Sequence, residues 1–424
     1  MLQISFLREN QEKAIEGLQK RHFPEAEKTV KTIVDTDQQR RSTQTELDQV
    51  LASSKSVSKK IGQLMKEGKK EEAEAAKQET SSLKERSKQL SEQLKQYEEE
   101  LNNLLYHVPN LPGPQVPEGK TANDNAVVDQ WGEATELPDT AKPHWELIEQ
   151  YDIIDFELGN KITGAGFPVY KGKGAKLQRA LVNFFLSEAE KEGYQEIQPP
   201  IVINEDSGYG TGQLPDKEGQ MYQLVNENLY LIPTAEVPIT NLYRNVILKE
   251  EDLPVRHVGF TPCFRREAGS WGAHVRGLNR LHQFDKVEIV QIHRPEDSYQ
   301  ALEDMTRYIR TLLEKLELPY RVLNLCAGDL GFTSAQTYDL EVFSAAQKKW
   351  LEVSSASNFE NYQANRLKLR YKDANNQTQL LHTLNGSALA LPRIVAAILE
   401  NNQTPEGIKI PKVLVPFTGF DIIS

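Results

Sequence analysis

Between Ala73 and Leu104 the residues suited to face a partner helix recur at alternating steps of three and four. They are Ala73, Ala76, Thr80, Leu83, Ser87, Leu90, Leu94, Tyr97, Leu101 and Leu104. This spacing draws one stripe along one side of a helix, whereas strand side chains alternate every second residue. A weaker stripe precedes it, through Val30, Ile33, Val34, Leu47, Val50, Leu51, Val57, Ile61 and Leu64. Gly68, between Glu67 and Lys69, is a natural turn between the two. The pattern predicts a long antiparallel α-helical hairpin with limbs of roughly 35 residues, hence about 50 Å each. Such an arm has little core beyond its seam, so it projects from something or grips something.

Two uses of such an arm stay open at this point. One is a coiled coil that dimerises. The other is a nucleic-acid surface. The first limb carries Lys28, Lys31, Arg40, Arg41, Lys55, Lys59 and Lys60 against Asp35, Asp37, Glu46 and Asp48, and the tip adds Lys66, Lys69 and Lys70. Basic charge gathered on one limb stands out because the whole chain is acidic, at -11. That balance argues against indiscriminate nucleic-acid binding but leaves a local basic face.

Residues 108–120 read VPNLPGPQVPEGK, and four prolines there forbid a helix. The expected organisation is therefore an arm at 1–108, a proline-rich linker at 109–120 and a second domain at 121–424. A chain of 424 residues supports more than one core. Two cysteines, Cys263 and Cys326, make neither a disulfide framework nor a thiolate zinc site. The start has no signal-peptide pattern, and no stretch approaches the ~18 apolar residues of a membrane span. A cytoplasmic protein without a membrane partner is the expectation.

Beyond Trp145 the pattern is mixed. An amphipathic helix is predicted over 176–192, followed by a strand over 195–204 that Pro199 and Pro200 confine to an edge. Further strands are expected at 229–233, 256–266, 281–292, 338–343, 350–353 and 379–385. Helices are expected at 296–316 and 387–401. Without regular strand–helix alternation, this is an α+β domain with a largely antiparallel sheet.

The segment from Cys263 to Ile289, CFRREAGSWGAHVRGLNRLHQFDKVEI, reads as two strands around a long polar loop. Alternation allows Arg265 and Glu267 to share one face with Phe284 and Glu288. A guanidinium fork grips phosphate, a ring stacks on a base, and a carboxylate takes an amine. Taken alone, an ordinary solvated hairpin explains the segment as well.

Together these residues resemble the bacterial seryl-tRNA synthetase family, over nearly the full chain. Pro199-Pro200, the Phe264–Phe284 hairpin and Gly386–Arg393 resemble the three class II synthetase motifs, the first of which forms a homodimer interface. The resemblance implies a class II antiparallel sheet flanked by helices, with an N-terminal coiled-coil arm. It implies activation of L-serine by ATP and transfer to tRNA(Ser), and to tRNA(Sec) where one exists. Arg265 would hold the α-phosphate and the serine carboxylate. Glu267 would meet the adenine amino group, Phe284 would stack on adenine beside the Leu281 backbone, and Arg393 would meet the γ-phosphate. Arg265, Glu267 and Arg393 form the implied catalytic set. Arg266, Glu352, Val353, Ser354 and Ser355 complete the ATP site, with Glu352 and Ser355 as hard oxygen ligands for Mg²⁺. Thr234, Ala235, Glu236, Arg265, Glu288, Asn385 and Ser387 would bind serine. Asp339 and Glu341 would be supporting carboxylates. The loop holding Trp271, His274, Arg276 and Arg280 would meet the tRNA acceptor end. No zinc is expected. Ala388 and Pro392 stand where glycine is common in the third motif, and Gln336 where a basic residue is frequent. A synthetase-like protein with a dead site, and a relative that loads a carrier protein, are the competing readings. The intact charged set speaks against the first and the long arm against the second.

Overall fold

The structure, a computed structural model, describes every residue except Thr135, Asp139 and 269–275. The chain divides into two compact units. One comprises Leu2–Gln19 and Phe23–Pro109; the other comprises Met1, Lys20–His22 and Asn110–Ser424.

The first unit is dominated by two helices, Ala26–Lys66 of 41 residues and Lys70–Tyr106 of 37. At 1.5 Å per residue they are about 60 and 55 Å long, somewhat longer than the seams alone suggest. They run antiparallel because the chain reverses at Gly68, whose φ is +75°. The Lys69 amide bonds the Leu64 carbonyl at 3.0 Å and the Gly68 amide the Met65 carbonyl at 3.4 Å. This pair closes a helix end around a left-handed residue that only glycine adopts without strain.

In the second limb all ten seam positions are buried or half-buried, and Leu90 is 1% exposed. The first limb departs from its apolar pattern. Leu51 is 50% exposed and lies outside the seam, while Asp37 and Thr43 are buried in it. The Asp37 carboxylate receives Arg40 at 2.9 Å and Arg8 at 3.1 Å, the latter from the short helix Ile4–Glu9. A buried charge needs such partners, and a search for apolar spacing passes over it. Arg40 is thereby committed to the seam. Arg86 pairs with Glu46 from limb to limb.

The second unit is built on an eight-stranded sheet. Its strands lie in the order Ala126–Trp131, Tyr320–Asn324, Gln336–Ser344, Lys349–Asn358, His382–Ala390, Gln283–His293, Val255–Phe264 and Gln195–Glu196. Every neighbouring pair is antiparallel except the last. Pro199 and Pro200 follow the edge strand, where missing amide donors disturb no ladder. Helices Gly172–Lys191, Ser298–Lys315 and Leu391–Asn401 bury Leu181, Phe185, Leu302, Ile309, Ile394 and Ile398 against Val287, Ile289, Leu340 and Leu384 of the sheet. The α+β class and its antiparallel sheet are as the pattern predicts.

Several boundaries differ. The helix expected at 387–401 begins at Leu391, and 387–390 extend the strand. Ser387 pairs with Glu288 and Ala390 with Lys286, around an irregularity. Pro392 sits in the first helical turn, where its missing amide is harmless. The strand expected at 379–385 is two: Thr378–Leu380 in a separate small sheet, and His382–Ala390. Ala126–Trp131 and Tyr320–Asn324 escaped the sequence pattern. The former is a bulged edge strand without clean alternation. Residues 110–120 do not hang free. Asn110 and Gly113 amides bond the Phe332 and Ala335 carbonyls at 2.9 and 2.8 Å, and Val116 packs with Leu323 and Leu325.

Candidate active site

The Val255–Phe264 and Gln283–His293 strands form the predicted hairpin, with Cys263 opposite Phe284 and Gly259 opposite Glu288. Arg265 extends the ladder by one amide bond, to the His282 carbonyl at 2.9 Å. Its guanidinium carbon lies 5.2 Å from the Phe284 ring centre, and its Nε bonds the Pro233 carbonyl at 3.4 Å. The side chain is thus held between the ring and the loop that carries Thr234, Ala235 and Glu236.

Glu267 behaves differently from the strand-face expectation. The strand ends at Phe264, and Glu267 has φ +48°, in the left-handed region. Strand alternation therefore no longer sets its direction. Its carboxylate accepts from Arg280 at 2.6 Å, joining the two stems of the loop. The Arg266 amide bonds the Gln220 carbonyl at 2.9 Å while its side chain is exposed. Leu281 is buried in the core. Trp271 and His274 lie outside the described residues. Arg276 is described and sits with its guanidinium 5.0 Å from the Trp145 ring centre.

The residues expected around serine converge on the middle of the sheet. Glu288 faces Ser387 across the ladder, and the Ser387 hydroxyl donates to Glu288 Oε2 at 3.4 Å. Ser387 is fixed in turn by the Ser354 hydroxyl, which donates to its carbonyl at 2.6 Å. Asn385 pairs with Val290 on one side and Ser357 on the other. Glu236 is 6% exposed and opens a short helix, Glu236–Asn241; its amide bonds the Thr234 hydroxyl at 3.2 Å.

Two carboxylates buried together resist ionisation. Burial, then the Glu288 charge, raises Glu236 to about 7. Burial also raises Glu288, with Lys286 as the main opposing influence. Lys286 is a site residue that the motif reading passed over. It stands two positions before Glu288, so strand alternation alone puts both on one face. Gln363 is another: its amide donates to Glu236 at 2.7 Å and accepts from the Thr383 hydroxyl at 2.7 Å. No local pattern marks Gln363, since it comes from the distant helix Tyr362–Leu367.

On the other side of the Ser387 strand, Lys349–Asn358 carries Glu352, Val353, Ser354 and Ser355. Val353 and Ser354 are buried, Ser355 is half-buried and Glu352 is exposed. Asp339 pairs with Ser355 across the ladder. Burial and then the nearby Glu352 hold the Asp339 carboxyl well above the usual carboxylate range. Asp339 Oδ1 is buried with no hydrogen-bond partner among the described residues. An orphaned carboxylate oxygen next to Glu352 and the Ser355 hydroxyl suits a small divalent cation. Arg393, from the first turn of Leu391–Asn401, donates to the Glu352 carbonyl at 2.6 Å and the Asn279 carbonyl at 3.2 Å. It also lies 3.5 Å from the Glu352 carboxylate.

Residues 222–402 match the family described as the tRNA synthetase class II core domain (G, H, P, S and T). The fold is that of a class II aminoacyl-tRNA synthetase. Residues 1–112 match the seryl-tRNA synthetase N-terminal domain. The chain is 51% identical to the serine–tRNA ligase of Salinibacter ruber over 92% of each chain. It is 46% identical to that of Akkermansia muciniphila over 100% of this chain and 99% of the relative. The solved seryl-tRNA synthetase of Pyrococcus horikoshii, complexed with ATP, superposes with TM-score 0.93 at 35% identity, covering 100% of this chain and 99% of that one. The cytoplasmic serine–tRNA ligase of Naegleria fowleri, in complex with AMP, gives 0.87 at 26% identity with the same coverage. The chain belongs to the seryl-tRNA synthetase family.

Proposed function

We propose that this chain activates L-serine with ATP and transfers the seryl group to the 3′ end of tRNA(Ser). tRNA(Sec) would be served by the same reaction where it exists. The observation that carries this reading is one continuous strand, Gln283–His293. It holds Phe284 under Arg265 at one end and the Lys286–Glu288 pair beside Ser387 further along. A nucleotide end and an amino-acid end thus share one rigid ribbon.

In the first step a serine carboxylate oxygen attacks the α-phosphorus and pyrophosphate leaves. Charge builds on the phosphate oxygens, and in this scheme Arg265 stabilises it while Phe284 stacks on adenine. Arg266, the Leu281 backbone and Glu267 complete the adenine side. Arg393, Val353 and Ser354 complete the phosphate side. Glu288 takes the serine ammonium and hydroxyl, Glu236 closes on the ammonium beside it, and Arg265 takes the carboxylate. Thr234, Ala235, Asn385 and Ser387 shape the pocket. A pocket that bonds the hydroxyl disfavours alanine, because its own polar groups would be left unpaired. Glu352 and Ser355 would hold Mg²⁺, with Asp339 close by; bound there, it neutralises phosphate charge. In the second step a ribose hydroxyl attacks the acyl carbon, AMP leaves, and the AMP phosphate takes the proton. No zinc enters this scheme.

Residues 1–108 form the proposed tRNA-binding arm, 109–120 the connecting segment and 121–424 the catalytic domain. The exposed cations of the first limb support the arm's role, recognising phosphates and shape. A homodimer through the Pro199-Pro200 edge, and a cytoplasmic location, complete the proposal. No helix among the described residues is long and apolar enough to cross a membrane. The test is serine-dependent ATP–pyrophosphate exchange, followed by charging of tRNA(Ser). Purified protein without exchange would overturn the proposal, and exchange without charging would favour a carrier-protein substrate.

A further inference from the structure

We propose that His144 and Glu400 are positioning residues for ATP: as a buried pair they clamp the backbone at Leu278 and Asn279, which in turn orients Arg393. The inference rests on the function proposed above. Both side chains are fully closed to solvent, and His144 Nδ1 lies 2.7 Å from Glu400 Oε1. The Leu278 amide donates to His144 Nε2 at 2.9 Å. An amide can only donate, so Nε2 accepts and the ring proton sits on Nδ1, facing the carboxylate. The His144 amide also donates to Glu400 Oε1, at 2.9 Å. The Ser344 hydroxyl donates to Oε2.

The clamp continues toward Arg393. Gln347 donates to Glu400 Oε1 at 2.9 Å and accepts from the Asn279 side chain at 3.1 Å. The Asn279 carbonyl then receives Arg393 Nε at 3.2 Å. Arg393 and Glu400 are seven residues apart on one helix, two turns, and so share a face. The segment Leu278–Asn279 is tied at both points: through His144 to Glu400, and through its own carbonyl to Arg393.

The fit tolerates little. Gly277 has φ +67°, and a Cβ there would stand 2.3 Å from His144 Nε2. One residue earlier, Arg276 lies over Trp145, the neighbour of His144. The start of helix His144–Gln150 therefore holds the C-terminal stem of the loop twice. Apolar side chains would fill such a site as stably as a buried polar pair. What they cannot supply is a directed bond to one backbone amide. That bond is the reason to assign positioning rather than packing.

The experiment is pyrophosphate exchange with full-length His144→Ala, His144→Gln and Gln347→Ala, with thermal midpoints measured alongside. Losing a hydrogen bond that orients a charged group corresponds to about tenfold or more. His144→Ala should raise KM for ATP by that amount while KM for serine moves by less than about twofold. Gln347→Ala, at a half-buried turn position, should raise KM for ATP by a smaller factor. His144→Gln, which retains an acceptor, should recover part of the loss. The inference is overturned if Gln347→Ala leaves KM for ATP unchanged, or if His144→Ala shifts both KM values alike together with a lower midpoint. If His144→Ala does not fold, Gln347→Ala alone decides. Wild-type protein lacking exchange would overturn the function itself, a distinct failure.

Discussion

Lys286 Nζ lies 2.6 Å from Glu288 Oε2, with side chains 8% and 2% exposed. The pair sits two residues beyond Phe284 on the strand that also faces Ser387. It places the single buried ammonium of the strand between the nucleotide end and the serine end of the proposed site.

Removing one partner of a buried pair leaves the other without compensation, which costs about 3–5 kcal/mol. Lys286→Met should lower the thermal midpoint and raise KM for serine by more than KM for ATP. Calorimetry and exchange kinetics together read both effects. Equal shifts in the two KM values would remove Lys286 from the serine side.

In the proposed scheme Arg265 meets the developing phosphate charge. Arg265→Ala should reduce exchange by roughly 10²–10³-fold, the loss typical of a removed transition-state donor. Arg265→Lys keeps the charge but loses the planar fork, and should recover little. Because the side chain is only half-buried, both variants should unfold near the wild-type midpoint.

The Glu236 carboxyl is raised to about 7, so serine binding at the proposed site should depend on pH. Its folded value lies above its unfolded value. The stability linked to its proton is therefore complete below about 4.5 and lost as pH rises through about 7. The difference corresponds to about 3 kcal/mol at most. A serine ammonium favours the ionised carboxyl, so KM for serine should fall as pH rises from 6 to 8, on the order of tenfold. Glu236→Gln should flatten both profiles. Wild-type and variant curves that run parallel would refute the assignment.

Within the arm, Leu90 is 1% exposed and Leu51 is 50% exposed. Leu90→Ala should destabilise the hairpin by about 2–5 kcal/mol, and Leu51→Ala by less than about 0.5 kcal/mol. Hydrogen exchange along the two limbs separates these outcomes.

Deleting Val30–Leu94 behind a short linker should leave serine-dependent exchange within a few-fold of wild type and abolish charging of tRNA(Ser). Charging that survives the deletion would contradict the proposed role of the arm.

The hairpin arm was legible in the sequence because its order is local. A 3–4 repeat and one glycine specify two helices and a turn, and the second seam is found at every expected position. The Cys263–Ile289 hairpin was legible for the same reason, since side-chain direction follows from alternation once a strand is given. Its limits were local too. Glu267 left the predicted face because the strand ended two residues sooner and the backbone turned left-handed. Residues 387–390 read as helix because small and apolar residues fit either state, and pairing with Lys286 and Glu288 decided for strand.

Other features have no local signature. Asp37 occupies an apolar seam because Arg8 and Arg40 reach it from elsewhere. Gln363 holds Glu236 from 127 residues away, and His144 meets Glu400 across 256. The sequence by itself determined the periodicities, the breaks and the charged residue types of the proposed site. Only the tertiary structure decided which buried polar atoms satisfy one another. The physical reason is that a buried charge or donor is tolerated only beside its partner, and the partner's place in space is not encoded by its distance along the chain.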